Sequence, residues 1–134
     1  MRDFRDLVAW QLCDDLRSEV VAFTETGPAS RDFKYRDQIR DASSSAPRNI
    51  AEGFGRYRPA EFARFLEYAV ASLEETKDGL IDGHDRGYLD KDLYSRLRDL
   101  AGAAERVTKS LLRSKRRQVS KQDDERRQNR RRRR

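Results

Sequence analysis

The chain is poor in the residues that build reactive or cross-linked sites. Its 134 residues include one cysteine, Cys13, and one histidine, His84. A lone cysteine excludes a disulfide framework or a cysteine-cluster metal site within one chain. One histidine leaves little basis for a histidine-ligated metal or a Ser/His/Asp triad, so no metal and no cofactor are expected. No apolar run approaches the ~20 residues that a membrane-spanning helix needs, and the opening Met1-Arg2-Asp3-Phe4-Arg5-Asp6 has no apolar signal-peptide segment. The expectation is a cytoplasmic protein with no membrane partner. Only three prolines and seven glycines punctuate the chain.

Charge is abundant, and it is segregated. Hydrophobic residues make up 36% of the chain and charged residues 40%. The net charge of +6 hides a division: residues 113–134 carry twelve Lys and Arg against three acids, or +9, whereas residues 1–112 carry eighteen against twenty-one, or −3. The body is mildly acidic and the end of the chain strongly basic. Residues 113–134 contain almost nothing to bury, so a basic, disordered tail is expected there.

Apolar residues recur in alternating steps of three and four in four segments, the pattern of helices that each bury one stripe. The stripes are Ala9, Cys13, Leu16, Val20 and Phe23; Tyr35, Ile39, Ala42, Ala46, Ile50 and Phe54; Phe62, Leu66, Ala69, Leu73, Thr76 and Leu80; and Leu93, Leu97, Leu100, Ala104, Val107 and Leu111. Gly27-Pro28, Gly53 with Gly55, and Gly83 with Gly87 mark the breaks. Ser30 or Asp32 can cap the second helix and Asp90 the fourth, and Pro59 suits the first turn of the third. Short connections favour antiparallel neighbours, so the predicted fold is all-α: an antiparallel, up-down-up-down four-helix bundle over residues 1–112. Pro47 lies inside the second stripe, where a kink is expected and Ser43, Ser44 and Ser45 can satisfy freed backbone groups.

The run Gln38-Ile39-Arg40-Asp41-Ala42-Ser43-Ser44-Ser45-Ala46-Pro47-Arg48-Asn49-Ile50-Ala51-Glu52-Gly53-Phe54-Gly55-Arg56, with Glu61-Phe62 and Phe65-Leu66 after it, is distinctive. It resembles the 23S ribosomal RNA intervening-sequence protein family, as do Phe4-Arg5-Asp6-Leu7, Trp10-Gln11, Ala71-Ser72-Leu73-Glu74-Glu75 and Gly87-Tyr88-Leu89. The resemblance spans roughly residues 4–112. It implies a four-helix bundle that is not an enzyme, assembling with itself as a ring, commonly a homopentamer. It also implies kinship with accessory proteins of diversity-generating retroelements, whose partners are nucleic acid and a reverse transcriptase. The chain departs from the pattern in two places. Asp41 stands where relatives usually have a basic residue, and Arg58 where they have a capping Ser.

These readings define the candidate sites. Arg48, Arg56, Tyr57 and Arg58 surround the second turn, with Arg40 two helical turns upstream. Arginine forks match phosphates, and an aromatic ring beside them can stack on an unpaired base, so this is a candidate RNA-contacting edge. The competing reading is solvated charge paired with Glu52 or Glu61. In the tail, Arg116, Arg117, Arg126, Arg127, Arg130, Arg131, Arg132, Arg133 and Arg134 are candidate phosphate contacts acting through counterion release. Asn49, Glu52 and Gly53 belong to the family-like motif and are assigned a structural or subunit-contact role. Trp10, Phe65 and Tyr68 fall off the core stripes and are candidate oligomer contacts. The function expected is binding of RNA or another nucleic acid by a ring-forming bundle; the alternative is a scaffold for a reverse transcriptase. Gly53-Phe54-Gly55 lacks the spacing and Lys of a phosphate-binding loop, and Asp82-Gly83-His84-Asp85 lacks the ligand alternation of a calcium loop.

Overall fold

The computed structural model describes residues 3–134, and every regular element among them is helical. A 3₁₀ turn at Phe4–Asp6 leads into α1 (Val8–Thr24), a one-turn α2 (Gly27–Arg31), α3 (Phe33–Phe54), α4 (Pro59–Asp85) and α5 (Lys91–Arg132).

Local chemistry places most of the boundaries. The Asp32 carboxylate accepts the Tyr35 amide at 3.2 Å and starts α3; the Asp90 carboxylate accepts the Leu93 amide at 2.8 Å and starts α5. Pro59 opens α4, while Arg58 before it gives no side-chain cap. Gly27-Pro28 does more than interrupt: Gly27, at φ 67°, begins α2. Proline at the second position costs that helix no hydrogen bond, so a sequence signal for a break is here also a start.

α3 packs on α4, α4 on α5, and α1 on both α3 and α5, enclosing one core. The contacts tie the start of each helix to the end of its neighbour. The Tyr35 hydroxyl near the start of α3 donates to the Gly79 carbonyl late in α4 at 2.7 Å, and Gly53 at the other end of α3 lies against Phe62 and Phe65. Arg96 pairs with Glu19 across α5 and α1 at 2.9 Å, and Arg116 with Glu67 across α5 and α4 at 2.9 Å.

The expected stripes on α1, α3 and α4 are buried, apart from the half-buried Phe23 and Phe54. On α5 the buried line is instead Leu97, Ala101, Ala104, Thr108 and Leu112, with Leu93, Leu100, Val107 and Leu111 at its margin. Polar Thr108 fits because its hydroxyl donates to the Ala104 carbonyl at 2.7 Å, satisfying the group within the helix.

α3 continues as helix through the buried Pro47. The preceding serines are engaged: the Ser43 hydroxyl donates to the Arg40 carbonyl at 3.2 Å, and the Ser45 hydroxyl accepts from Ser72 of α4 at 2.9 Å.

The tail corrects the expectation of disorder. α5 runs without a break past residue 112 to Arg132. Burial alone was the wrong criterion, because this segment continues a helix that the bundle has already nucleated, and extending an existing helix avoids the cost of nucleation. After Gly102 no glycine or proline interrupts α5, and Arg, Lys, Gln and Glu are good helix formers. Packing also passes residue 112. The Lys115 ammonium lies 5.2 Å from the Phe62 ring, and Val119 is half-buried; from Ser120 onward every residue is exposed.

Candidate nucleic-acid interface

The turn between α3 and α4 and the projecting part of α5 lie side by side. Tyr57 and Arg58 share a groove of about 560 Å³ with Val119, Gln122, Arg126 and Asn129 of α5. Tyr57 is fully exposed. Two segments far apart in sequence thus place an uncovered aromatic ring, two guanidiniums and two amides around one opening. Asp123 and Glu125 also line it, so the opening is polar but not uniformly basic.

The remaining predicted edge residues divide. Arg48 is exposed and, among the described residues, has no ion-pair or hydrogen-bond partner. Arg56 pairs with Glu52 at 3.1 Å and lies 5.1 Å from the centre of the Phe65 ring, an exposed pair of the kind worth little to stability. Arg40 is not part of the edge. Its guanidinium donates to the Thr24 hydroxyl at 2.8 Å and the Val21 carbonyl at 3.4 Å, holding the last turn of α1. A cation there also faces the negative end of the α1 dipole.

In the arm, Arg116 is engaged with Glu67, whereas Arg117 borders an apolar groove with Val8 and Leu111. Arg126, Arg127 and Arg130 to Arg134 are exposed. Asp123 to Glu125 form no ion pair with them, so the positive potential of the distal arm is not cancelled by direct pairing.

The motif residues make contacts within their own chain. The Asn49 amide donates to the Ser45 carbonyl and hydroxyl at 2.8 and 3.0 Å. Gly53 is a point of close approach between α3 and α4: a Cβ there would fall 2.8 Å from Phe62 and 2.9 Å from Phe65. Trp10 is half-buried, edge-on to Phe4 at 5.3 Å. Phe65 is half-buried beside Tyr68, which is 43% exposed and accepts a hydrogen bond from Arg64 at 2.8 Å.

Three further side chains owe their environments to contacts far along the chain. Glu105, a surface charge by composition, is buried and accepts from Lys77 at 2.7 Å and Lys109 at 2.8 Å. Burial pushes its carboxyl up, but the hydrogen bonds from Lys109 and Lys77 outweigh that and hold it down at about 2. Asp32 binds Tyr88 and Arg86 beyond the end of α4; hydrogen bonding from Tyr88, then from the Tyr35 amide, holds its carboxyl below the usual range. Cys13 is fully buried beside Thr108, and burial pushes its thiol up to about 12, which makes it an inert packing residue. Among the described residues no group of three or more His, Cys, Asp or Glu could hold a metal ion, and no helix is long and apolar enough to cross a membrane.

The architecture defines a class: an all-helical protein whose long helices enclose one core and whose last helix projects as a basic arm. The family model for the 23S rRNA-intervening sequence protein matches residues 5–122, and the chain belongs to that family. The match extends beyond residue 112 into the basic segment. A crystal structure of a protein with unknown function from the S23 ribosomal protein family of Bacteroides thetaiotaomicron VPI-5482 has a TM-score of 0.74 to this chain. It is 18% identical and is covered over 98% of its length, against 81% of this chain. At that identity the likeness is one of fold. No curated protein matches the chain in sequence.

Proposed function

We propose that this protein is a non-enzymatic, up-down-up-down four-helix bundle that self-assembles, as a ring and most simply a homopentamer, and binds RNA or another nucleic acid through its basic arm. The observation that carries the reading is the helix beyond Val119, exposed and bearing a run of unpaired arginines. Such a segment neutralises phosphates and releases their counterions, a term that needs no sequence readout. The acidic body supplies little of this attraction, and Arg58 adds a cation beside the arm. The up-down reading is supported by the start-to-end pairing of neighbouring helices described above. Self-assembly is supported by Val8, Tyr68 and Ile81, each about half exposed and able to bury apolar area against a second copy.

Removing residues 121–134 leaves Lys115, Arg116 and Val119 in place, so the bundle should fold while losing eight of the twelve tail cations. The expected result is that RNA copurifies with the full chain and not with the shortened one. Equal RNA content in both would overturn the arm's role. Light scattering should give a mass several times 15.7 kDa; a monodisperse monomer would remove the assembly.

A further inference from the structure

We propose that the groove between the α3–α4 turn and the arm is a site for an unpaired base of single-stranded RNA, a proposal that rests on the nucleic-acid reading above. Charge alone would attract any polyanion; this groove adds chemistry that charge does not require. Tyr57 presents a bare ring at its rim, and a base stacks on such a ring whatever its sequence, provided it is not already stacked within a duplex. Arg58 on one wall and Arg126 on the other are placed to hold phosphates flanking the stacked base. Gln122 and Asn129 each offer both a donor and an acceptor, which matches the mixed edge of a nucleobase better than a phosphate, which only accepts.

The two carboxylates give the same answer. Asp123 and Glu125 would repel a phosphate backbone laid uniformly along the arm. In the groove they can accept from the amino groups that bases expose on their pairing edge, which in an RNA duplex are paired or lie in a deep major groove that side chains do not reach. The groove therefore selects a strand whose bases are free, while the distal arginines attract single and double strands alike.

Fluorescence anisotropy of the full chain with a labelled mixed-sequence RNA strand, and with the blunt duplex of the same strand, tests this. Tyr57 is wholly exposed, so Tyr57→Ala should fold normally, as checked by circular dichroism. It should weaken binding of the single strand about fivefold or more, the scale of losing one base–aromatic stack, and leave the duplex within twofold. Tyr57→Phe should bind like the parent, since the ring and not the hydroxyl does the stacking. The double variant D123N/E125Q should gain affinity for the duplex more than for the single strand. Equal change for both RNAs in Tyr57→Ala, or no change in either, would overturn the base site while leaving arm binding standing. Failure of the parent to bind either RNA would overturn both readings.

Discussion

Residues 1–112 and residues 113–134 are both helical, but different physics makes them so. In the bundle, position is dictated by neighbours: a Cβ on Gly83 would collide with the Tyr35 hydroxyl, and Leu73 is wholly enclosed. Beyond Val119 the arm touches little. Its helix depends on intrinsic propensity and on the folded turns before it, so its side chains are constrained by charge more than by shape. A single helix, α5, thus begins as a core element and ends as a solvent-exposed polycation, and a substitution should read very differently at its two ends.

The contrast predicts a graded series. Leu73→Ala should cost about 2–5 kcal/mol in denaturant unfolding, because a fully enclosed side chain leaves a cavity, whereas Arg127→Ala should stay within about 0.5 kcal/mol. Equal effects would mean the arm is packed as the bundle is. Gly83→Ala should cost about 1–3 kcal/mol through overpacking against Tyr35 and Leu89.

Glu105→Gln should cost about 1–2 kcal/mol at neutral pH, since two charge-assisted hydrogen bonds weaken at a buried position. The sign of its pH dependence follows from a carboxyl held at about 2 against an ordinary 4.5. The Glu105 contribution is complete above about pH 4.5 and is lost as pH falls toward 2, so parent and variant stabilities should converge on acidification. Divergence at low pH would show that the carboxylate is not what the two lysines stabilise.

The smallest expected effect on global stability is that of Lys121→Pro. It should lower helical ellipticity while leaving the unfolding midpoint nearly unchanged, because the arm can fray without opening the core. A large fall in midpoint would show that the arm is part of the cooperative unit.

The bundle was largely legible in the sequence because one-sided burial leaves a period. The stripes through Leu16, Ile39 and Leu73, the caps at Asp32 and Asp90, and the opening Pro59 all report local chemistry. What failed was local evidence with a non-local answer. The buried line of α5 shifted toward Ala101 and Thr108 because small and back-bonded residues sit where helices approach closely, and periodicity weights bulky residues instead. Arg40 looked like a surface cation, yet its partners on α1 are sixteen and nineteen residues away. The tail looked disordered because composition says nothing about the folded helix feeding it. Within the site, Tyr57 and Arg58 stood out as an aromatic beside a cation. Gln122 and Asn129 carried no signal, because only the straight continuation of α5 brings them to that turn.

The account's central claim is that the arm supplies most of the affinity for nucleic acid, the body little. Its most direct test is the salt dependence of RNA affinity for the full chain and for the chain lacking residues 121–134. Each phosphate neutralised on a single strand contributes roughly 0.7 to the slope of log affinity against log salt. The account predicts that the shortened chain binds far more weakly, with a slope shallower by about 2 or more. Superimposable lines for the two proteins would contradict it.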